Sequence, residues 1–280
     1  MMPQRQLSAR MALWLWYRGD RFRGYQRQVQ GPTVQECLER ALGALGVGAT
    51  PSPSGRTDLG VHARMQVVSF RAPDDVSPER LQAEVPPRLP EGMGLCLARR
   101  AHRDFHAQWS CSGKEYRYRL RLAPGGARWE GSSWNVSGHP RLTGKVTPER
   151  LSELLQHAQG TRDFIAFHEK SSPRKPRTLE RAELVELGDG LFEARLSGSG
   201  FGRYQVRYLV GSATLTASGA LPEARWRAAL ESGETIEGLR APAEGLVLWD
   251  VRYPQRVDPF SAEERSAAPG LPPEPPFVAP

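Results

Sequence analysis

Ser54-Gly55-Arg56-Thr57-Asp58-Leu59-Gly60-Val61-His62 sets a carboxylate, a guanidinium, a hydroxyl and an imidazole around two glycines, and it runs into Met65 to Phe70, which reads as a strand. Gly55 and Gly60 permit backbone conformations closed to other residues and let a second molecule approach closely. A loop fixed by a strand in this way can aim Asp58 at a substrate. The same residues also suit a plain turn, in which Thr57 and Asp58 bond their own backbone ahead of a hairpin. The rest of the chain has to decide between the two.

Working outward, Ala12 to Arg18 reads as a strand, and Thr33-Val34-Gln35-Glu36 as a capping box that opens a helix with Val34, Leu38, Ala41, Leu42 and Leu45 on one face. Ser77-Pro78 starts another helix and Gly94 to Ala98 forms a further strand. A second half repeats this order of elements. Lys114 to Leu122 alternates, with Tyr116, Tyr118, Leu120 and Leu122 on one face and Arg117, Arg119 and Arg121 on the other. Thr147-Pro148-Glu149 caps a helix carrying Leu151, Leu154, Leu155 and Ala158, which Gly160 is expected to end. Thr178 to Leu187 and Leu191 to Ser197 flank the hairpin signal Gly188-Asp189-Gly190. Helices over about 203–217 and 222–232, and a last strand at Leu246 to Val251, complete the pattern. Arg207 lies in an otherwise apolar helical segment, where it needs a carboxylate or a wet cavity.

The expected organisation is a flexible N-terminus (1–10), an N-terminal α/β half with the aspartate loop (11–105), a C-terminal half (106–253) and a disordered proline-rich tail (254–280). Pro124 to Lys145 and Ser171 to Arg177 are candidate mobile arms over a ligand.

A chain of 280 residues with 39% hydrophobic content can bury a substantial core. It shows no secretion signal and no apolar run of membrane-spanning length, so a cytoplasmic protein with no membrane partner is the expectation. Cys37, Cys96 and Cys111 lack disulfide or zinc spacing and read as packing residues. Lys and Arg total 38 against 31 Asp and Glu, a net charge of +7 in which arginine far outnumbers lysine. Basic clusters at Arg18 to Arg27, Arg99 to Arg103, Lys114 to Arg121 and Lys170 to Arg181 interleave with aromatic residues. Guanidinium forks suit phosphate and aromatic faces suit bases; the alternative is a solvated arginine-rich surface.

Taken in order, these residues resemble the tRNA pseudouridine synthase A family. Gly55 to Ala63 matches its G-R-T-D-x-G-V-H-A signature, Tyr17 to Gln28 its Y-x-G-x-x-F-x-G-W-Q-x-Q loop, and Thr33 to Leu42 its T-V-Q-E-x-L-E-x-A-L helix. Asp104-Phe105-His106-Ala107, Tyr116-Arg117-Tyr118, Asp163-Phe164, Gly200 to Gly211 and Ala241 to Leu246 resemble its later motifs, so the match spans 12 to 253. Tyr25, Leu59, Met65, Pro86 and Gln205 depart from the family pattern.

The resemblance implies an α+β pseudouridine synthase fold, with two similar α/β halves of mixed, largely antiparallel sheet flanking a central cleft. It implies isomerisation of uridine in the anticodon stem-loop of tRNA by a homodimer, without cofactor or metal. Asp58 would be the nucleophile, Arg207 its ion-pair partner, and Tyr116 the ring packed on the base and a possible general base. Arg56 would enter the space left by a flipped base, with Arg23, Gln26, Arg27, His62 and His106 as further RNA contacts. His62 also suits a loop-fixing hydrogen bond. Two other classes fit parts of the sequence. A non-catalytic RNA-binding protein would use the same basic surface, and a metal-dependent nuclease would need clustered carboxylates that the Asp58 loop lacks.

Overall fold

The computed structural model describes residues 7–169 and 174–278. It divides into two compact units, one formed by residues up to 112 together with 248 onward, the other by 113–247.

Unit 1 opens with β1 (Leu7–Tyr17), α1 (Val34–Gly43), β2 (Ser52–Pro53), β3 (His62–Pro73), α2 (Pro78–Glu84) and β4 (Met93–Arg100). Unit 2 contains β5 (Gly113–Arg121), β6 (Trp134–Asn135), α3 (Pro148–His157), β7 (Gly160–Arg162), β8 (Arg177–Gly188), β9 (Leu191–Gly198), α4 (Gln205–Ala217) and α5 (Glu223–Ser232). From Leu248, within β10 (Leu246–Arg252), the chain belongs to unit 1 again and ends with α6 (Ala262–Ala267).

In unit 1 the strand order is β4-β1-β3-β10, with β2 paired on β3. β1 runs antiparallel to both β3 and β4. Residues 7–10 already belong to β1, with Leu7 opposite Pro73 and Arg10 opposite Arg71, so the loose N-terminus expected through residue 10 is corrected for these four. Thr33 caps α1 by accepting from Glu36 N, and Ser77 caps α2 by accepting from Arg80 N. The α1 residues Val34, Leu38, Ala41 and Leu42 are buried, as their spacing requires.

The tail is a correction. Residues 254–278 pack instead of trailing free: Phe260 meets Trp14 edge-on at 5.9 Å and Phe277 meets Trp16 at 5.3 Å, both phenylalanines buried. Ser261 and Glu264 form a capping box on α6. Arg265 donates to Asp250 (2.8 Å), the Val251 carbonyl (3.0 Å) and Asp258 (2.7 Å). Proline-rich composition lowers the entropy lost on ordering, so a few aromatic anchors suffice to fix such a segment.

In unit 2 the order is β5-β9-β8-β7, antiparallel throughout, with β6 parallel beside β5. The β8–β9 turn has Asp189 and Gly190 both at positive φ, 51° and 69°, the two-residue hairpin geometry that twisted strands favour. Thr147 caps α3, which closes at Ala158; Gly160, at φ +114°, begins β7 instead of ending the helix.

The arginine side of β5 is a second correction. Arg119 and Glu193 are fully buried opposite one another across β5 and β9 and paired at 3.0 Å, with Arg117 and Arg195 on the same carboxylate. Trp129 lies 4.5 Å from the Arg119 guanidinium, and burial lowers the Arg119 pKa to about 10. The Pro124 to Lys145 segment therefore contributes packed residues, Trp129, Trp134 and Val136, and Arg121 ties to it through the Gly126 carbonyl at 2.9 Å. Of the other expected arm, 171–173 lie outside the described residues, while Arg177 is buried at the start of β8.

Candidate active site

The Asp58 loop is assembled from three stretches of unit 1. Asp58 O accepts from Val61 N at 3.1 Å across a turn whose third residue, Gly60, has φ +83°, a conformation that favours glycine. Gly19 is required because a Cβ there would overlap the Gly60–Val61 backbone. Gly24 is required for a similar reason, at φ +85° with its Cβ position 2.8 Å from Thr57 O. Tyr25 N, next in sequence, donates to that Thr57 carbonyl at 3.0 Å, and Tyr25 Oη donates to Pro51 O at 3.1 Å. The tyrosine found where the resemblance expects tryptophan is thus a buried strut under the loop.

Beneath Thr57 runs a buried polar chain. Ser54 Oγ donates to Gln66 Oε1 at 2.7 Å, and Gln66 Nε2 donates to Gly55 O at 2.7 Å and to the Tyr17 oxygen at 3.1 Å. The Tyr17 oxygen also shares a hydrogen bond with Thr57 Oγ1, 2.7 Å away, in which either hydroxyl can donate. Burial is the first cause that lifts the Tyr17 phenol to about 12, and the charge of Asp58 adds to it. The phenol is therefore neutral throughout the physiological range. Asp58 itself is half-buried, while Arg56 and Leu59 beside it are exposed.

His62 is a correction to the expected RNA contacts. It is fully buried, and its Nδ1 accepts from Gly19 N at 3.0 Å, which leaves the ring proton on Nε2. This bond joins the loop to residue 19. Arg23, Gln26 and Arg27 are exposed on the loop after β1, Arg27 paired with Glu39. His106 is half-buried and stacked on Trp109.

Unit 2 positions the other two expected residues. Tyr116, almost buried on β5 opposite Leu196, meets Phe201 edge-on at 5.1 Å. Arg207, half-buried on α4, donates from Nε to Ala241 O at 2.7 Å, and Ala241 N returns a bond to Arg207 O at 3.1 Å. Gly211 allows this pairing, since a Cβ there would overlap Leu239 O. The Ala241 to Leu246 stretch is further fixed by Tyr118, whose hydroxyl donates to Pro242 O at 2.9 Å and whose ring occupies the space a Gly245 side chain would need.

Three features escaped the sequence reading: the bonds that join Tyr17, Gln66 and Thr57, the stack of Trp109 on His106, and the position of Tyr204. The Tyr204 ring faces the guanidiniums of Arg203, Arg207 and Arg240 at 4.8, 5.5 and 4.5 Å. Gln66 and Tyr17 lie 49 positions apart, so only the register of β1 on β3 reveals them as neighbours.

Among the described residues no cluster of His, Cys, Asp and Glu could hold a metal ion, and no helix is long and apolar enough to cross a membrane. The Cys96 thiol is pushed by burial up to about 12 and Cys37 is raised by the same cause, in keeping with packing roles.

Comparison with known proteins gives the class first: a family model described as tRNA pseudouridine synthase matches residues 147–254. Longer matches extend this. The chain is 35% identical over 242 residues to the tRNA pseudouridine synthase A of Anoxybacillus flavithermus, covering 85% of this chain and 96% of that protein. With the corresponding protein of Cereibacter sphaeroides the identity is 36% over 263 residues, 90% of this chain and 99% of the relative. That of Exiguobacterium sibiricum is 32% identical over 243 residues, 85% and 94% of the two chains. The chain belongs to the tRNA pseudouridine synthase A family, and is with it a pseudouridine synthase.

Proposed function

We propose that this chain converts uridine to pseudouridine in the anticodon stem-loop of tRNA, with Asp58 as the nucleophile. The observation that supports this most directly is the construction around Asp58. It is a half-buried carboxylate on a turn held by Gly60, with the preceding residue pinned from both sides by Tyr17 and Tyr25. A plain surface turn needs no such scaffold.

In this reading a carboxylate oxygen of Asp58 attacks the ribose C1′ or the uracil C6 of an extruded nucleotide. The N1–C1′ bond breaks, the uracil turns, a C5–C1′ bond forms, the bond from Asp58 to C1′ (or, on the other route, to C6) breaks to free the carboxylate, and the proton on C5 is lost while N1 gains one. The reaction is redox-neutral. Tyr116 is assigned by the resemblance to packing on the base and to assisting removal of the C5 proton, and Arg207 to keeping the nucleophile ionised. Arg56, exposed next to the nucleophile, is assigned to the space the base vacates. The arginine excess favours a polyanionic substrate, and a cytoplasmic homodimer engaging one tRNA is the assembly proposed with it; sedimentation tests the dimer.

The test is release of tritium from tRNA labelled at uridine C5. Wild-type protein releases it and Asp58→Asn does not. A protein that only binds or folds RNA releases none in either form, and an Asp58→Asn variant with wild-type release would end the assignment.

A further inference from the structure

We propose that the stacked pair His106–Trp109, with the cross-strand pair Arg10–Arg71, forms a docking site for an unpaired RNA nucleotide. The base would stack on Trp109 and its phosphate would lie against the arginines. This rests on the tRNA-binding reading and adds to it a contact made by residues other than those of the Asp58 loop.

The segment 105–110 lies on one face of the unit 1 sheet. Ala107 N donates to Ser69 Oγ at 2.9 Å, Tyr253 Oη donates to Ala107 O at 2.8 Å, and Phe105 packs on Tyr253 at 4.9 Å. Ser69 and Arg71 are two residues apart on β3 and so share that face, with Arg10 directly opposite Arg71 on β1.

On this base the indole of Trp109 lies flat on the His106 imidazole, centroids 4.0 Å apart and planes 14° apart. His106 Nδ1 accepts from Gln108 N and Trp109 N at 3.2 and 3.3 Å, which holds the imidazole in place. Burial and then Arg10 lower its pKa, so the ring is neutral at physiological pH. One indole face is covered by the imidazole, yet Trp109 stays 80% exposed. A bulky apolar ring fixed in an exposed position suits the stacking of another flat ring.

The arginines call for an anion. Like charges directly opposite on neighbouring strands destabilise a sheet, and Arg10 Nε is buried without a hydrogen-bond partner among the described residues. Asp104 is the acid whose charge reaches Arg10, and it is exposed. A base carrying a phosphate matches both halves of the patch.

The experiment measures binding of unmodified tRNA transcript to the full chain across a salt series, with sedimentation of each variant. Trp109→Ala should raise Kd about 5- to 150-fold, the range for loss of one base–aromatic stack, and leave the slope of log K on log salt unchanged. Trp109→Phe should stay within about threefold of wild type, since a phenyl ring still stacks. Arg71→Ala should reduce the slope by about one. An unchanged Kd for Trp109→Ala overturns the proposal. So does a change in sedimentation with unchanged Kd, which would give the patch to a second copy of the chain. Wild-type turnover by Asp58→Asn would remove the nucleophile assignment but leave this comparison of Kd values intact.

Discussion

Replacing Tyr17 by phenylalanine removes one oxygen atom and keeps the ring, which packs edge-on to Phe22 at 6.3 Å. Two hydrogen bonds are lost, the one shared with Thr57 Oγ1 and the acceptance from Gln66 Nε2. Gln66 Nε2 keeps its bond to Gly55 O, whereas the buried Thr57 hydroxyl has no other hydrogen bond among the described residues. One net hydrogen bond plus one stranded buried hydroxyl amounts to about 2–3 kcal/mol. For a chain of this size that lowers Tm by roughly 3–5 °C, measured by scanning calorimetry. Thr57 precedes Asp58, so loosening it misplaces the proposed nucleophile; a displacement near 1 Å costs about a hundredfold in rate. Steady-state pseudouridine formation at 25 °C, where the variant is still folded, should show kcat reduced with KM nearly unchanged.

A pH arm tests the burial of the same phenol. Tyr17 titrates at about 12 when folded, against 10.0 in its unperturbed state. The folded state thus holds a proton that the unfolded chain releases first, and stability is full below pH 10 and falls as pH rises towards 12. The fall attributable to Tyr17 is at most about 3 kcal/mol, and Tyr17→Phe should lack it in urea unfolding at pH 9 and 11. A variant with unaltered Tm and kcat would refute the idea that this chain of bonds positions Asp58.

Glu193→Ala should cost about 3–5 kcal/mol in urea unfolding, because it strands the buried Arg119, while the double change Arg119→Met with Glu193→Leu should cost less than Glu193→Ala alone. Phe260→Ala should cost about 3–5 kcal/mol by the same measurement; a negligible effect would return the tail to disorder. Binding of tRNA should weaken steeply with salt, and a nearly flat log K against log salt plot would count against a phosphate-binding surface. Activity should survive exhaustive chelation, since the proposed chemistry routes no step through a metal; loss restored by added metal would refute that.

Much of the fold was legible because its signals are local. Thr33, Ser77 and Thr147 each cap a helix through an oxygen only three residues from the amide it accepts from, and Gly188-Asp189-Gly190 makes its turn from its own dihedral preferences. The Asp58 loop was legible as a motif for the same reason. Alternation in β5 correctly separated the tyrosines from the arginines, but it was silent on what covers the arginines. Their partner Glu193 is 74 residues away from Arg119, and the covering Trp129 lies in a segment that reads as a loose loop. The tail misled by composition. Its prolines suggest disorder, while the two phenylalanines that anchor it are too sparse to form a periodic pattern.

By itself the sequence determined the helices α1 to α5, the hairpin, the glycine-bounded turn at Asp58 and the family to which the chain belongs. Each of these is written in residues a few positions apart, or in an ordered series of such motifs. Only the tertiary structure decided that His62 faces inward, that Tyr17 and Gln66 hold Thr57 from below, that the tail packs on Trp14 and Trp16, and that Trp109 stands exposed on a histidine. Those outcomes depend on strand register and on which segment covers which face, and such long-range pairings leave no local mark in the chain.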